Sequence, residues 1–319
     1  MRKIRVLTAL DSEGKLCHLL GEFPLSKDYF CPGCGQSLCL KKGKVMRPHF
    51  AHKHLRDCHF FSENESVEHL QLKATLYKTI SKTEDVRIEK VFPEFGQIAD
   101  LCINDKLILE VQCSPLPIDR LIERTNAYHR EGYMVYWLLG KKLWLRKRLN
   151  HLQKQFLAFS WFIGFYLWEL DLEKEELRLH YMIHQNLFGK LCYLTKRCSF
   201  KDNIMAFLRL PFQKSCASKM TLHMDQEVIG KIKKSLCRRD KSWLKRQEDA
   251  YLQGKNLLTE PLETFYPQIR PPFSDIPFCQ IHENLQSYYE SFDHFYQKMK
   301  DKKVQTLYPP FLYVKIKEN

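Results

Sequence analysis

Residues 67–80 carry Val67, Leu70, Leu72, Leu76, Tyr77 and Ile80 near helical spacing, and Ser66 stands where an N-cap belongs, so the pattern predicts a helix through Ile80. The period then changes. Three apolar runs, 86–95, 97–103 and 107–113, read as strands, with Asn104-Asp105-Lys106 as a hairpin turn between the last two and with Pro115 and Pro117 ending the sheet. Ile118, Leu121, Ile122 and Ala127 return to helical spacing until Gly132 stops the helix before the buried-strand run 133–139. The order is αβββαβ. Upstream, 4–9 and 16–19 read as short strands around the turn Asp11-Ser12-Glu13-Gly14. Downstream, 141–159 reads as a basic helix and 164–168 with 177–182 as a hairpin across an acidic turn. Segments 198–210, 226–237 and 241–254 read as helices and 261–277 as a proline-rich connection.

Composition narrows the class. The chain has 319 residues, 44% hydrophobic and 28% charged, which excludes a disordered chain. The longest uncharged apolar run, 156–168, is shorter than the roughly 20 residues a helix needs to cross a bilayer. The N-terminus is basic but reaches Asp11 and Glu13 before any stretch suited to a signal peptide, so a cytoplasmic protein without membrane insertion is expected. A net charge of +14 points to a polyanionic partner, nucleic acid first. A membrane surface is the weaker candidate, because no single basic amphipathic helix stands out. Twelve cysteines without an export signal are expected to be thiols and metal ligands rather than disulfides.

Cys31-Pro32-Gly33-Cys34-Gly35 is a knuckle of the kind that brings two thiolates onto one tetrahedral Zn²⁺. His49-Phe50-Ala51-His52 and Cys58-His59 follow at distances suited to a second ligand pair, which gives Cys31, Cys34, His52 and Cys58 as the expected set, with His49 competing for the third place. Cys39 is left out as a buried thiol. The alternative is a pair of reduced core cysteines beside surface histidines. Four protein ligands would make the zinc structural, with chemistry elsewhere.

Counting outward from the 104–106 turn places Asp100 opposite Glu110, and opposed residues of an antiparallel pair share a sheet face. Both acids interrupt runs that otherwise look buried. Two unpartnered carboxylates there would repel, so a shared cation is the simplest way to satisfy them, and Mg²⁺ or Mn²⁺ suits such oxygens. Removing either charge is then expected to leave the metal-free protein equally or more stable. Gln112 points to the face of Glu110. On the preceding helix Glu65, Glu68 and His69 lie one turn apart and Lys73 four residues after His69, a further ligand and a phosphate contact. A solvated helix face with a polar sheet edge is the bland alternative.

An acidic helix, a strand Asp and a Glu-x-Lys on the next strand, followed by helix and strand, resembles the core of the PD-(D/E)XK nuclease superfamily, here as Asp100 and Glu110-Val111-Gln112. More closely, Tyr29-Phe30-Cys31-Pro32-Gly33-Cys34, Arg47-Pro48-His49-Phe50-Ala51-His52 and Glu65-Ser66-Val67-Glu68-His69-Leu70-Gln71-Leu72-Lys73 resemble the CoiA family of competence proteins from naturally transformable Gram-positive bacteria. The resemblance implies an α/β fold: a zinc-ribbon-like segment over 1–60, a restriction-endonuclease-like αβββαβ core with a mixed sheet over 61–145, and a mainly helical basic region over 146–319. It implies a cytoplasmic protein that handles incoming DNA, single-stranded after uptake, during transformation. Glu68, Asp100 and Glu110 are then expected to hold Mg²⁺ or Mn²⁺ for phosphodiester hydrolysis, and Gln112 to orient the water. Gln112 stands where the superfamily has Lys, so Lys73 or Arg124 is expected to bring positive charge to the nucleic acid. The other reading is a catalytically idle nuclease fold that binds single-stranded DNA and recruits recombination proteins.

Overall fold

The structure, a computed structural model, describes residues 5–21, 24, 26, 28–43, 47–53, 58 and 66–317. The N-terminal part is a six-stranded sheet: β1 (Arg5–Val6), β2 (Thr8–Leu10), β3 (Leu16–His18), β4 (Tyr29–Phe30), β5 (Ser37–Lys41) and β6 (His49–His52), in the order β1-β6-β5-β4-β2-β3. Its small core gathers Val6, Leu19, Tyr29, Leu38 and Phe50. Such a core is too small to hold a fold unaided.

The middle of the chain runs in the expected order: α1 (Val67–Ile80), β7 (Val86–Phe92), β8 (Gln97–Ile103), β9 (Leu107–Gln112), α2 (Ile118–Arg130) and β10 (Met134–Leu139). Ser66 caps α1 by accepting the His69 N–H at 3.1 Å. Asn104 and Asp105 adopt left-handed conformations in the β8–β9 turn, which short polar side chains tolerate. β7, β8 and β9 form an antiparallel meander, and β10 lies parallel to β9 with Glu110 beside Trp137. Every residue of β8 and β9 is buried, acids included.

The region after residue 145 is not mainly helical. The expected basic helix over 141–159 is a single 3₁₀ turn at Lys141–Leu143, then α3 (His151–Gln155) and the short strand β11 (Ala158–Ser160). Asn150 and Gln153 form a reciprocal capping box that starts α3 late. Then come β12 (Gly164–Asp171), β13 (Glu176–Asn186) and β14 (Leu191–Ser199). β12 and β13 make the expected hairpin across the acidic turn, and β12 pairs parallel to β10. The result is one nine-stranded sheet, with central order β14-β13-β12-β10-β9-β8-β7, that crosses the boundary expected at 145/146. Residues 198–210 supply a strand end and only a short helix, α4 (Ile204–Leu208), capped by Asn203 and followed by Pro211. The rest is β15 (Met220–His223), α5 (Val228–Cys237), α6 (Lys241–Leu252), β16 (Ile269–Arg270), α7 (Gln286–Gln297), β17 (Val304–Leu307) and α8 (Pro310–Lys317). Tyr288, Phe292, Tyr296 and Tyr313 from α7 and α8 join Phe159 and Phe165 in the same core as α1 and the sheet. None of the described helices is long and apolar enough to cross a membrane.

Candidate functional site

Two sites emerge. In the first, the knuckle between β4 and β5 is closed by the Gly35 N–H to the Cys31 carbonyl, 2.9 Å, and Gly35 sits at φ +70°, where a side chain would be strained. β6 runs antiparallel to β5 and brings His52 opposite Leu38. The Sγ atoms of Cys31, Cys34 and Cys58 and a ring nitrogen of His52 all lie within 4.8 Å of one another, an S₃N donor set of the kind that holds a tetrahedral metal ion such as zinc. His52 rather than His49 joins the cluster. His49 Nδ1 lies 3.0 Å from the Arg47 carbonyl, and the period-two alternation of β6 turns the two histidines to opposite sides. Hydrogen bonding to Cys58 and burial push the Cys31 thiol up. The charge of a bound cation reverses that balance. Cys39 is half-buried and donates to the Ala51 carbonyl instead. His59 lies outside the described residues.

The second site is built where α1 and α2 meet β7, β8 and β9. The β8–β9 ladder runs Ile103↔Leu107, Cys102↔Ile108, Leu101↔Leu109, so Asp100 and Glu110 are the next pair, as the turn predicts. There the ladder stops. Asp100 Oδ2 accepts the Val111 N–H at 2.8 Å and so fills the gap between the parting strands. On the other side of β8 the β7 ladder is interrupted at the same level. Glu89 adopts φ +50° and its neighbours Ile88 and Lys90 pair across it.

Each buried acid has protein partners of its own. His69 Nε2 lies 2.9 Å from Asp100 Oδ2, and Lys73 Nζ lies 3.4 Å from Asp100 Oδ1 and 2.7 Å from Glu89 Oε1. Arg124 donates to Glu110 Oε2 at 2.8 Å and the Tyr128 hydroxyl to Glu110 Oε1 at 2.6 Å. The expectation of two unpartnered carboxylates is therefore corrected: His69 and Lys73 on α1 face Asp100, and Arg124 and Tyr128 on α2 face Glu110. Burial opposes ionisation of Asp100, but His69, Lys73 and Arg124 outweigh it and hold the carboxyl well below the usual range. Burial pushes Glu110 up to about 7, with Arg124 working against that and the charge of Asp100 adding to it.

Lys73 is fully buried between Glu89 and Asp100, so it neutralises acids and does not present its charge to a phosphate as expected. Arg124, turned onto Glu110 and the Ile98 carbonyl, is likewise not displayed for nucleic acid. Gln112 donates its amide to the Ser114 carbonyl at 2.7 Å. Glu68 accepts the Lys141 N–H at 2.9 Å, at the end of β10. Glu65 lies outside the described residues.

Two partners escaped the sequence reading. Glu89 follows Ile88 in a strand run, the same signal that marked Asp100. Tyr128 lies one turn beyond Arg124 on α2, a spacing that puts both on one face. Glu89 also accepts the Leu7 and Thr8 N–H groups and the Thr8 hydroxyl, at 2.7–3.0 Å, and so ties the N-terminal sheet to Lys73.

Comparison with known proteins agrees with this layout. Residues 65–206 match the family described as "Competence protein CoiA, nuclease-like domain", and residues 21–61 match "Competence protein CoiA, N-terminal domain". The two matches together cover more than half of the chain. The chain belongs to the competence protein CoiA family. "Competence protein CoiA" of Bacillus subtilis (strain 168) is 34% identical over 132 residues, which is 39% of this chain. The match spans 35% of that protein's own length. No solved structure matches. The metal-ligand knuckle falls within the family's N-terminal domain, and Asp100, Glu110 and Gln112 within its nuclease-like domain.

Gly140 gives this site a direct test. It follows β10, and a Cβ there would fall 2.7 Å from Cys113 Sγ, 3.0 Å from Glu68 Oε1 and 3.1 Å from Cys113 Cα. Gly140→Ala is expected to push Glu68 off the Lys141 N–H and to destabilise by ~1–3 kcal/mol through overpacking, read in a thermal melt. A melt identical to the parent's would show that the strand ends separate freely.

Proposed function

We propose that the protein processes incoming DNA in the cytoplasm during natural transformation, and that the Asp100 site is a metal-dependent phosphodiesterase centre on a restriction-endonuclease-like core. The observation that carries this reading is Asp100. A buried carboxylate held ionised at the point where both ladders of its strand open is costly, and such groups concentrate at functional sites. The oxygens of Glu68, Asp100 and Glu110 suit a hard cation: each carboxylate already accepts from protein donors, Glu68 from Lys141, Asp100 from Val111 and Glu110 from Arg124 and Tyr128, and each keeps further lone pairs for a metal. Glu68, Asp100 and Glu110 would hold Mg²⁺ or Mn²⁺, which when bound acidifies a water and offsets phosphate charge. His69 orients Asp100, Lys73 balances its charge against Glu89, and Gln112, fixed through Ser114, is placed to orient the water by hydrogen bonding. Zinc at the Cys31–Cys34–His52–Cys58 cluster is structural.

A second reading, a catalytically idle scaffold that binds single-stranded DNA and recruits recombination proteins, draws on two facts: both oxygens of Glu110 are taken by α2, and Gln112 brings no charge. Purified protein incubated with labelled single-stranded DNA and Mg²⁺ or Mn²⁺, with Asp100→Ala as control, separates the two. Cleavage lost in the variant supports the enzyme; intact DNA with both proteins supports the scaffold. On either reading the +14 charge makes the affinity fall steeply with salt and vary little with base sequence. A flat salt response would contradict both.

A further inference from the structure

Away from the Asp100 site, a cavity of about 670 Å³ opens between the turn that joins β13 to β14, the α5–α6 pair and the chain around β16. Ligand pockets are commonly of this size. Arg148, Lys154, Arg246 and Arg270 line it, and Asp240 is the one carboxylate among the lining residues. Asp240 is already committed to the start of α6, where it accepts the Ser242 and Trp243 N–H groups at 3.0 and 3.2 Å. Arg270 has Asp293 at 3.2 Å. Arg148, Lys154 and Arg246 have no carboxylate within 4.0 Å among the described residues. Cations gathered without counter-charge repel one another, and an anion relieves that cost. Partial desolvation, then the charge of Arg270, hold Arg246 below its ordinary value, with Asp240 in partial opposition.

The apolar part of the lining has a particular chemistry. The Arg246 guanidinium lies over the Trp243 ring at 4.8 Å, and Phe188 packs beside that ring at 5.2 Å. Phe273, at the cavity, is 63% exposed. A large aromatic left in water beside unpaired guanidinium groups matches a ligand that alternates flat bases with phosphates, and matches an acidic peptide poorly, because the peptide has no use for a stacking surface. We propose that this cavity binds a segment of single-stranded DNA, with Arg148, Arg246 and Arg270 on the phosphates and Phe273 as a stacking platform. Most of its walls come from residues beyond 206, where the nuclease-like match ends. The inference shares with the proposed function only that the ligand is DNA, and it holds whether or not the Asp100 site cuts.

The test is fluorescence anisotropy of a labelled oligothymidylate at several salt concentrations, with no divalent cation added. The full chain is compared with Arg148→Glu/Arg246→Glu and Phe273→Ala. The three cavity positions are exposed, and a melt of each variant checks that it folds. The double reversal is expected to weaken binding at least ~10-fold and to flatten the salt slope by about 1.4, the loss of two single-strand phosphate contacts. Phe273→Ala is expected to weaken binding roughly 5-fold or more at an unchanged slope. Cavity variants that bind as tightly as the parent overturn the inference even if the parent cuts DNA. Thymidine monophosphate or polyglutamate that competes as well as the oligonucleotide would reassign the cavity to a free nucleotide or an acidic protein.

Discussion

Asp100→Asn is expected to lose stability and, with it, the DNA cleavage proposed for the parent. Were the acids unpartnered, removing a charge would relieve repulsion and raise the melting temperature, but Asp100 faces Lys73, His69 and the Val111 N–H. Asparagine keeps an acceptor for Val111 and leaves Lys73 half-compensated, since Glu89 remains at 2.7 Å. Breaking one partner out of a buried pair costs ~3–5 kcal/mol, and the retained Glu89 contact places this variant near the lower end, about 5 °C in melting temperature for a chain of this length. The pH dependence follows the same logic. The folded-state pKa of Asp100 lies below its ordinary 3.8, so its stabilisation is present above that value and is lost as pH falls through the folded pKa. The parent should therefore lose stability more steeply on acidification than the variant. Calorimetry without added metal decides the matter. A variant that melts at or above the parent's temperature would mean that the buried pairs are not a net support, and would restore the case for a cation shared by Asp100 and Glu110.

Removal of the metal proposed at the Cys31–Cys34–His52–Cys58 cluster is expected to have the other large effect. The six-stranded sheet has only a small core, and structural zinc in comparable knuckles supplies ~10–16 kcal/mol of apparent binding energy that is also folding energy. Protein purified without added zinc should contain one equivalent, and Cys31→Ser or chelation should unfold the sheet. The consequence extends further. Leu7 and Thr8 supply the donors that hold Glu89, and Glu89 holds Lys73, so loss of the metal should also loosen the Lys73–Asp100 contact. Hydrogen exchange should accelerate strongly at β1–β6 and measurably at α1, while β12–β14 keep their protection. An absence of zinc together with a Cys31→Ser protein as stable as the parent would remove this account.

Much of the local design is readable without coordinates. A Ser cap followed by helical spacing defines α1, and an Asn-Asp-Lys turn between apolar runs sets the β8–β9 register that makes Asp100 and Glu110 the next opposed pair, because turn length and period-two alternation are local properties. The Cys-x-x-Cys knuckle likewise names two ligands by itself. The spacing favours His52, with His49 as competitor, and β6 as it lies in the sheet brings His52 into the cluster.

What the chain could not disclose locally is which element lies beside which. The parallel pairing of β10 with β12 carries the sheet past residue 145, and nothing in either strand's sequence names its neighbour. The partners of the acids were decided in the same way. Lys73 and Arg124 read as cations on helix faces open to a phosphate, yet packing of α1 and α2 against the sheet turned both onto carboxylates, and only packing of the N-terminal strand gave Glu89 the Leu7 and Thr8 donors that hold it. Charge type is written in the residue, but whether a charge meets solvent, a metal or another side chain depends on contacts between segments distant in sequence. The sequence alone therefore determined that buried acids sit on adjacent strands of an αβββαβ unit behind a cysteine knuckle. Tertiary packing decided that protein cations face those acids, because burial makes an uncompensated charge too costly to leave unpaired.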